Sequence, residues 1–402
     1  MSAPQGRLVF AIHQIGSGAD GGIRSITELV RAVPDIPKLV VTNIESPITE
    51  ALRAIAPVEI WPMTESAYGT KQSKLAYRIA QVRDRFRNNM RMRRMAKAGT
   101  VAVLHANDHR AFWNMAVGAR RGGAKVIFNV RGAMRPDSKR KAMWRQALKL
   151  CDCFLVLSQE MAAGWKEALR PTSDDPAQAA KFTYLYSIVN DAHFFTVDEP
   201  ARAAIRARLG ITEGRRAIAY VGRFDENKAQ ADYIEQAGPV LKSLRPDAVT
   251  YFVGDFLPDV DPYAARCAAS AKALGIEDQL RFVGYSAEVA DWYRAADVVV
   301  LASRQEGLPR CMIEGLACGA PFVSFDVTST REILEGHNGG IVVDQGDFPR
   351  LATEIAGLLD DAERFRAYRE RGPGIVARLF NKDKNGKAYA ELVDRLAGRS
   401  LS

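Results

Sequence analysis

The chain has 402 residues, 47% hydrophobic and 26% charged, with a formal net charge of +9. That length and balance suit a soluble globular protein with two full cores, and no run approaches the 18 apolar residues that a membrane-spanning helix needs. Five cysteines, Cys151, Cys153, Cys267, Cys311 and Cys318, form an odd set without paired metal-type spacing, which argues against a disulfide framework and for a reducing compartment.

In the first half, short apolar strands are expected near 7–12, 38–42, 101–105, 125–130 and 153–157, alternating with helical stretches. The early apolar run Leu8 to Ile12 is too short for a secretory signal, so a cytoplasmic protein is expected. After the first strand comes Gly16-Ser-Gly-Ala-Asp-Gly21, followed by Gly22 and a helix beginning near Ile23. The literal Gly-x-Gly-x-x-Gly pattern, with Glu45 after the second strand, keeps an NAD(P)-binding oxidoreductase open. His13, Gln14 and Ile15 intervene before the first glycine, so the turn is not the tight one that motif requires. Residues 71–97 carry ten Lys and Arg against Asp84, while Leu75, Ile79, Val82, Phe86 and Met90 recur at helical spacing. Such a helix either packs on a sheet with a solvated basic face or lies on an anionic membrane surface. No aromatic platform accompanies the charge, so nucleic acid is not expected as a partner.

At the next strand end stands His105-Ala-Asn107, where the histidine either contacts a bound ligand or is a satisfied structural residue. Arg131-Gly132 ends the following strand; a guanidinium is always cationic and cannot act as a base at neutral pH. Arg131 therefore either binds an anionic group or pairs with a nearby acid.

The second half repeats the alternation, with strands expected near 217–221, 248–253, 280–283, 297–301, 321–325 and 340–343. Two parallel-sheet α/β domains follow from this pattern. Ala217 to Val221 leads into Gly-Arg223-Phe-Asp-Glu-Asn-Lys228, an Arg fork and a Lys point charge at a strand's carboxyl end. Asp259-Val-Asp261 sits in a Pro-flanked loop and reads as a turn rather than a metal site. The most informative stretch is 301–327. Glu306-Gly307-Leu308-Pro309 enters a short helix that Pro309 opens and Gly319 stops, with Glu314 on it. A helix N-terminus suits a phosphate, and carboxylates beside an anion serve best by accepting bonds from neighbouring hydroxyls.

Glu306-Gly-Leu-Pro…Glu314-Gly-Leu-Ala-Cys-Gly-Ala-Pro resembles the paired-glutamate signature of family-4 retaining glycosyltransferases. The Gly-Arg…Lys clamp, Tyr251-Phe-Val-Gly-Asp255 and Arg281-Phe-Val-Gly284-Tyr285 extend the resemblance. It implies the GT-B fold, two Rossmann-like parallel-sheet domains facing each other across a cleft. The first would span 1–190, with 376–402 crossing back onto it, and the second 191–375. It implies Arg223, Lys228 and Glu306 as catalytic groups. Donor contacts would come from Gly21, Gly22, Gly284, Tyr285, Gly307, Leu308, Pro309 and Glu314, and acceptor or sugar contacts from His105, Asn107 and Arg131. Many members carry His-Gly where this chain has Arg131-Gly132.

The activity implied is metal-independent transfer of a hexose-type sugar, with retention, from a nucleoside-diphosphate sugar to a glycan or lipid-linked hydroxyl. No metal or cofactor is implied. Peripheral contact with an anionic membrane at the inner face of the cytoplasmic membrane would involve 71–97. A sugar-nucleotide epimerase of similar architecture would convert the donor without an acceptor, and a catalytically silent binding module would leave the phosphate site without chemistry.

Overall fold

The computed structural model describes residues 6–15, 21–64, 74–133, 140–170 and 174–398. The chain divides into two compact units, Met1–Ile188 with Lys382–Ser402, and Val189–Asn381.

The first unit is built on a seven-stranded parallel sheet. Its strands in chain order are β1 (Arg7–Ala11), β2 (Lys38–Thr42), β3 (Val58–Ile60), β4 (Val101–Ala106), β5 (Lys125–Asn129), β6 (Cys153–Val156) and β7 (Phe182–Tyr184). Their spatial order is β3-β2-β1-β4-β5-β6-β7. The sequence pattern does not predict β3 and β7, three-residue edge strands too short to carry a periodicity. Strands β1, β2, β4, β5 and β6 read as near-continuous buried runs, as expected for a sheet covered on both faces. The C-terminal helix Lys382–Ala397 packs Tyr389, Leu392 and Val393 into this unit's core beside Phe10, Ile26 and Val103.

The second unit has a six-stranded parallel sheet: β8 (Arg216–Val221), β9 (Ala248–Val253), β10 (Leu280–Gly284), β11 (Val298–Leu301), β12 (Phe322–Phe325) and β13 (Gly340–Val343). Their spatial order is β10-β9-β8-β11-β12-β13. In each sheet the strand order reverses beside the first strand, between β1 and β4 and between β8 and β11. Loops leaving the carboxyl ends of such strands diverge, and ligands of open α/β sheets bind there. The Gly222-to-Ala229 loop after β8 and the 302–309 loop after β11 both start at that point of the second sheet.

Buried Asp297, just before β11, fastens the amino-terminal side of this sheet. It accepts from Arg202 Nη2 at 2.7 Å, Arg206 Nη1 at 3.1 Å and the Ala217 N–H at 2.7 Å. Among the described residues, no helix is long and apolar enough to cross a membrane.

Candidate active site

The loop after β8 is held by an aromatic anchor and a turn. Phe224 is buried, with its ring 5.0 Å from Phe256 and 6.0 Å from both Phe252 and Phe282. Asp225 Oδ1 accepts the Lys228 N–H at 2.9 Å, closing the turn that points Lys228 back. Ala229 completes it in the left-handed region, at φ 58°. Two hydrogen bonds lace this loop to the one after β11. Asn227 Nδ2 donates to the Gln305 carbonyl at 2.9 Å, and the Arg304 N–H donates to the Asn227 carbonyl at 2.7 Å.

This lacing brings two of the sequence-predicted catalytic residues together. Lys228 Nζ donates to Glu306 Oε1 at 2.6 Å, and the side chains are 18% and 14% exposed. Burial alone would depress the Lys228 ammonium; the Glu306 carboxylate and its neighbours more than offset this, so its pKa stands above the ordinary lysine value. Arg223 is placed differently. Its side chain is 76% exposed and its guanidinium lies 3.5 Å from Asp225, outside the Lys228–Glu306 pair.

The helix that follows runs Arg310–Ala317. Pro309 stands one residue ahead of it at φ −64°, ψ 118°, so it caps the helix rather than forming its first turn, and no side chain caps the N-terminus. The first-turn N–H groups of a helix have no partner within the helix itself. Leu308 is buried beside them, and the Gly307 carbonyl accepts from Ser329 Oγ at 2.8 Å. Ser329 is fully buried and holds a left-handed φ of 75°, a strained arrangement that fixes Gly307. At the other end, Gly319 (φ 72°) donates to the Leu316 carbonyl at 3.0 Å and Ala320 to the Gly315 carbonyl at 2.9 Å, a complete Schellman stop.

Glu314 is buried on this helix. Its Oε1 accepts from Arg310 Nε at 3.1 Å and Nη2 lies 3.0 Å away, while the Tyr293 hydroxyl donates to Oε2 at 3.4 Å. Cys311 is buried among these groups. Burial pushes its thiol up to about 12, and the charges of Lys228, Glu306 and Glu314 all bear on it. Lys228 and Glu306 thus sit on two laced loops, and Glu314 on the helix that follows the second of them.

Gly284 ends β10 at φ 82°, a conformation that favours glycine, and its carbonyl accepts the Gly254 N–H at 2.9 Å. Tyr285, next in the chain, is 71% exposed. Sequence reasoning missed Arg310, Asn227, Ser329 and Tyr293. Arg310 was legible from its i, i+4 spacing to Glu314; the other three act through contacts that only the fold creates. Asp261 caps the helix Pro262–Ala273 by accepting the Tyr263 N–H at 2.9 Å.

In the first unit, Gly21 and Gly22 begin the helix Gly21–Arg31, whereas positions 16–20 of the glycine pattern lie outside the described residues. Glu45 forks onto Arg53, with the closer contact at 2.6 Å. His105 is fully buried. Its Nδ1 lies 2.7 Å from the Tyr389 hydroxyl and its Nε2 lies 3.2 Å from Asn129 Nδ2. Burial, with Arg131 nearby, holds its pKa down to about 3, so it is neutral. Both ring nitrogens are engaged inside the unit, the arrangement expected of a structural histidine. Asn107 is buried too, and its Oδ1 accepts from Arg131 Nη1 at 3.3 Å. Arg131 lines a small cavity of about 20 Å³ with Ser25, Asn129 and Ser187.

Two parallel-sheet α/β units, with two laced loops and two oriented carboxylates at the switch point of the second sheet, are the architecture of the GT-B class. Residues 215–361 match the family of glycosyl transferases group 1. A D-inositol 3-phosphate glycosyltransferase of Thermobispora bispora is 32% identical over 220 residues, covering 52% of this chain and 51% of that one. The match thus spans about half of that relative's length. A lipopolysaccharide core biosynthesis mannosyltransferase, LpsB, of Rhizobium meliloti is 23% identical over 258 residues, covering 62% of this chain and 73% of that one. Among solved structures, Anabaena HepE in complex with UDP superposes with a TM-score of 0.78 at 18% identity, covering 97% of this chain and all of that one. This last likeness establishes the fold.

Proposed function

We propose that the protein is a retaining glycosyltransferase. It moves a hexose-type sugar from a nucleoside-diphosphate sugar to a hydroxyl of a glycan or lipid-linked acceptor, without a metal ion. The observation that carries this reading is the Lys228–Glu306 pair, 2.6 Å apart on loops laced together at the switch point of the second sheet, with Glu314 fixed by Arg310 on the helix that follows. The diphosphate sits on the first-turn N–H groups, where the helix dipole favours an anion. An ammonium has three donors, so Lys228 keeps Glu306 and still donates to a phosphate oxygen. Glu306 orients the donor sugar, and Glu314, already fixed by Arg310, accepts from the ribose hydroxyls. Gly21 and Gly22 bring backbone N–H groups to the donor, and backbone groups at Gly284 and Tyr285 meet the base. Asn107 and Arg131 serve the acceptor or an anionic group.

In the chemical step, the acceptor oxygen forms the new bond to the anomeric carbon as the bond to the diphosphate breaks. The hydroxyl proton passes to the leaving phosphate oxygen on the same face, which retains configuration. The protein's contribution is positional and electrostatic, with Arg223, Lys228 and the helix start stabilising charge that grows on the diphosphate. A protein of the cytoplasmic face, meeting an anionic membrane through 71–97, suits a lipid-linked acceptor. Steady-state transfer assays on Arg223→Ala, with EDTA present throughout, test the reading. A fall in kcat of roughly 100- to 1,000-fold is expected, and a change below about tenfold in folded protein removes Arg223 from the mechanism.

A further inference from the structure

The helix Lys74–Lys97 is turned the opposite way from an ordinary amphipathic surface helix. Its buried side is Asp84, Asn88, Met92 and Ala96. It meets the helix His109–Gly122 through polar groups: Asn88 Nδ2 donates to Asn114 Oδ1 at 3.1 Å, and Asn89 Nδ2 to the Trp113 carbonyl at 3.0 Å. Asn89 Oδ1 accepts the Gly118 N–H at 2.7 Å, and a Cβ at Gly118 would fall 2.0 Å from the Asn89 carbonyl oxygen. The backbones are thus in near contact, and this face is settled.

The apolar residues lie on the other side. Leu75, Ile79, Val82 and Phe86 are each 60–69% exposed. Their spacing of i, i+4, i+7 and i+11 places them in one stripe roughly 16 Å long. Exposed Arg78 and Arg85 border it on one side, exposed Arg83 and Arg87 on the other. Asp84, the one acid on the helix, is buried and accepts the Thr64 N–H at 3.2 Å. The outward face over these turns is therefore apolar in the middle and cationic at both rims. Whatever covers it must take up hydrocarbon and supply anions alongside. A second copy of this chain would set Arg rim against Arg rim, because a two-fold contact pairs each patch with itself. The headgroup–acyl boundary of an anionic bilayer supplies both features.

We infer that Leu75, Ile79, Val82 and Phe86 insert into an anionic membrane surface, with the flanking arginines on lipid phosphates and the helix lying in the membrane plane. This rests on the membrane contact proposed above and adds that attachment is by apolar insertion rather than by adsorption of charge alone.

Flotation of the full chain with vesicles of phosphatidylcholine, with and without phosphatidylglycerol, tests it. Burial of each stripe residue contributes roughly tenfold to partitioning. Ile79→Ser with Phe86→Ser is thus expected to lower binding to phosphatidylglycerol vesicles about 100-fold at both low and high salt. Both residues are exposed, so folding is unaffected. Arg83→Gln with Arg87→Gln is expected to cost about fivefold per charge, less at high salt. Loss of binding in the glutamine variant with full binding in the serine variant overturns insertion while leaving charge-based membrane contact intact. If the wild-type chain binds no vesicle, both statements fall. A concentration-dependent dimer that disappears in the serine variant, without vesicle binding, assigns the stripe to a second copy and overturns the inference.

Discussion

Replacing Lys228 by Met removes the cation and keeps the volume, and its consequences separate stability from catalysis. In the wild-type protein the ammonium lies 2.6 Å from Glu306 Oε1, and each side chain is about one-sixth exposed. Breaking a fully buried pair by removing one partner costs about 3–5 kcal/mol, because the other charge is stranded. Partial exposure here lets water reach Glu306, so about 2 kcal/mol is expected for Lys228→Met. For a unit of this size that lowers Tm by about 4–8 °C. Adding Glu306→Gln removes the stranded charge, and the double variant is expected to recover most of the loss. Activity behaves otherwise: both variants lose a donor to the leaving diphosphate, and kcat falls roughly 100- to 1,000-fold in each. The assays are thermal melts and initial-rate sugar transfer on the wild type, the two single variants and the double variant. Recovery of activity with stability in the double variant would refute the reasoning, since Lys228 would then serve only to neutralise Glu306. The raised pKa fixes the sign of the pH effect. The pair's contribution is fully present below the unfolded lysine value and is lost as pH rises through the higher folded one, so the melts of wild type and Lys228→Met should converge only in strongly alkaline solution.

Other consequences follow from single sites. Asp297→Ala takes the buried counter-charge from Arg202 and Arg206, which keep only their carbonyl acceptors and Glu199, and removes the acceptor from the Ala217 N–H; a loss of about 3 kcal/mol, seen as a fall in denaturation midpoint, is expected. A loss under about 1 kcal/mol would mean that water replaces the carboxylate. At Gly254 a Cβ would lie 2.0 Å from the Gly222 carbonyl oxygen, a backbone atom that cannot yield cheaply. Gly254→Ala should therefore cost about 1–3 kcal/mol and weaken nucleotide affinity by displacing the loop that carries Arg223; unchanged affinity by calorimetry would contradict this. His105 is held neutral, with its pKa lowered to about 3 in the folded protein. Its contribution is complete above the unfolded value near 6.5 and is lost as pH falls from there toward 3, at about 1.4 kcal/mol per pH unit. Denaturation of His105→Gln should show a flatter acid limb than wild type, and parallel limbs would sink the assignment.

The sequence carried the second unit better than the first. Strands β8 to β13 are mostly apolar runs of four to six residues, and all six are legible as such, whereas β3 and β7 of the first unit are not. The site residues there fall at strand ends and on one helix, so their positions follow from chain order. Asn227 and Ser329 act across loops that are distant in sequence, and nothing local marks them. The helix Lys74–Lys97 shows why periodicity alone misleads. Leu75, Ile79, Val82 and Phe86 give the right period, yet Asn88, Asn89 and Gly118 decide which face is buried, because a close backbone approach with amide hydrogen bonds outweighs the apolar stripe. His105 gave no signal that separated ligand from core residue; its partner Tyr389 lies on a helix at the far end of the chain.

Isothermal titration of UDP, GDP, ADP and NAD(P), with EDTA present, against wild type and Glu314→Ala tests the donor site most directly. The account predicts that one nucleoside diphosphate binds the wild type and binds Glu314→Ala at least about tenfold more weakly, since the carboxylate's bonds to the ribose hydroxyls are lost. Equal affinity of the two proteins, or binding of NAD(P) alone, would contradict it.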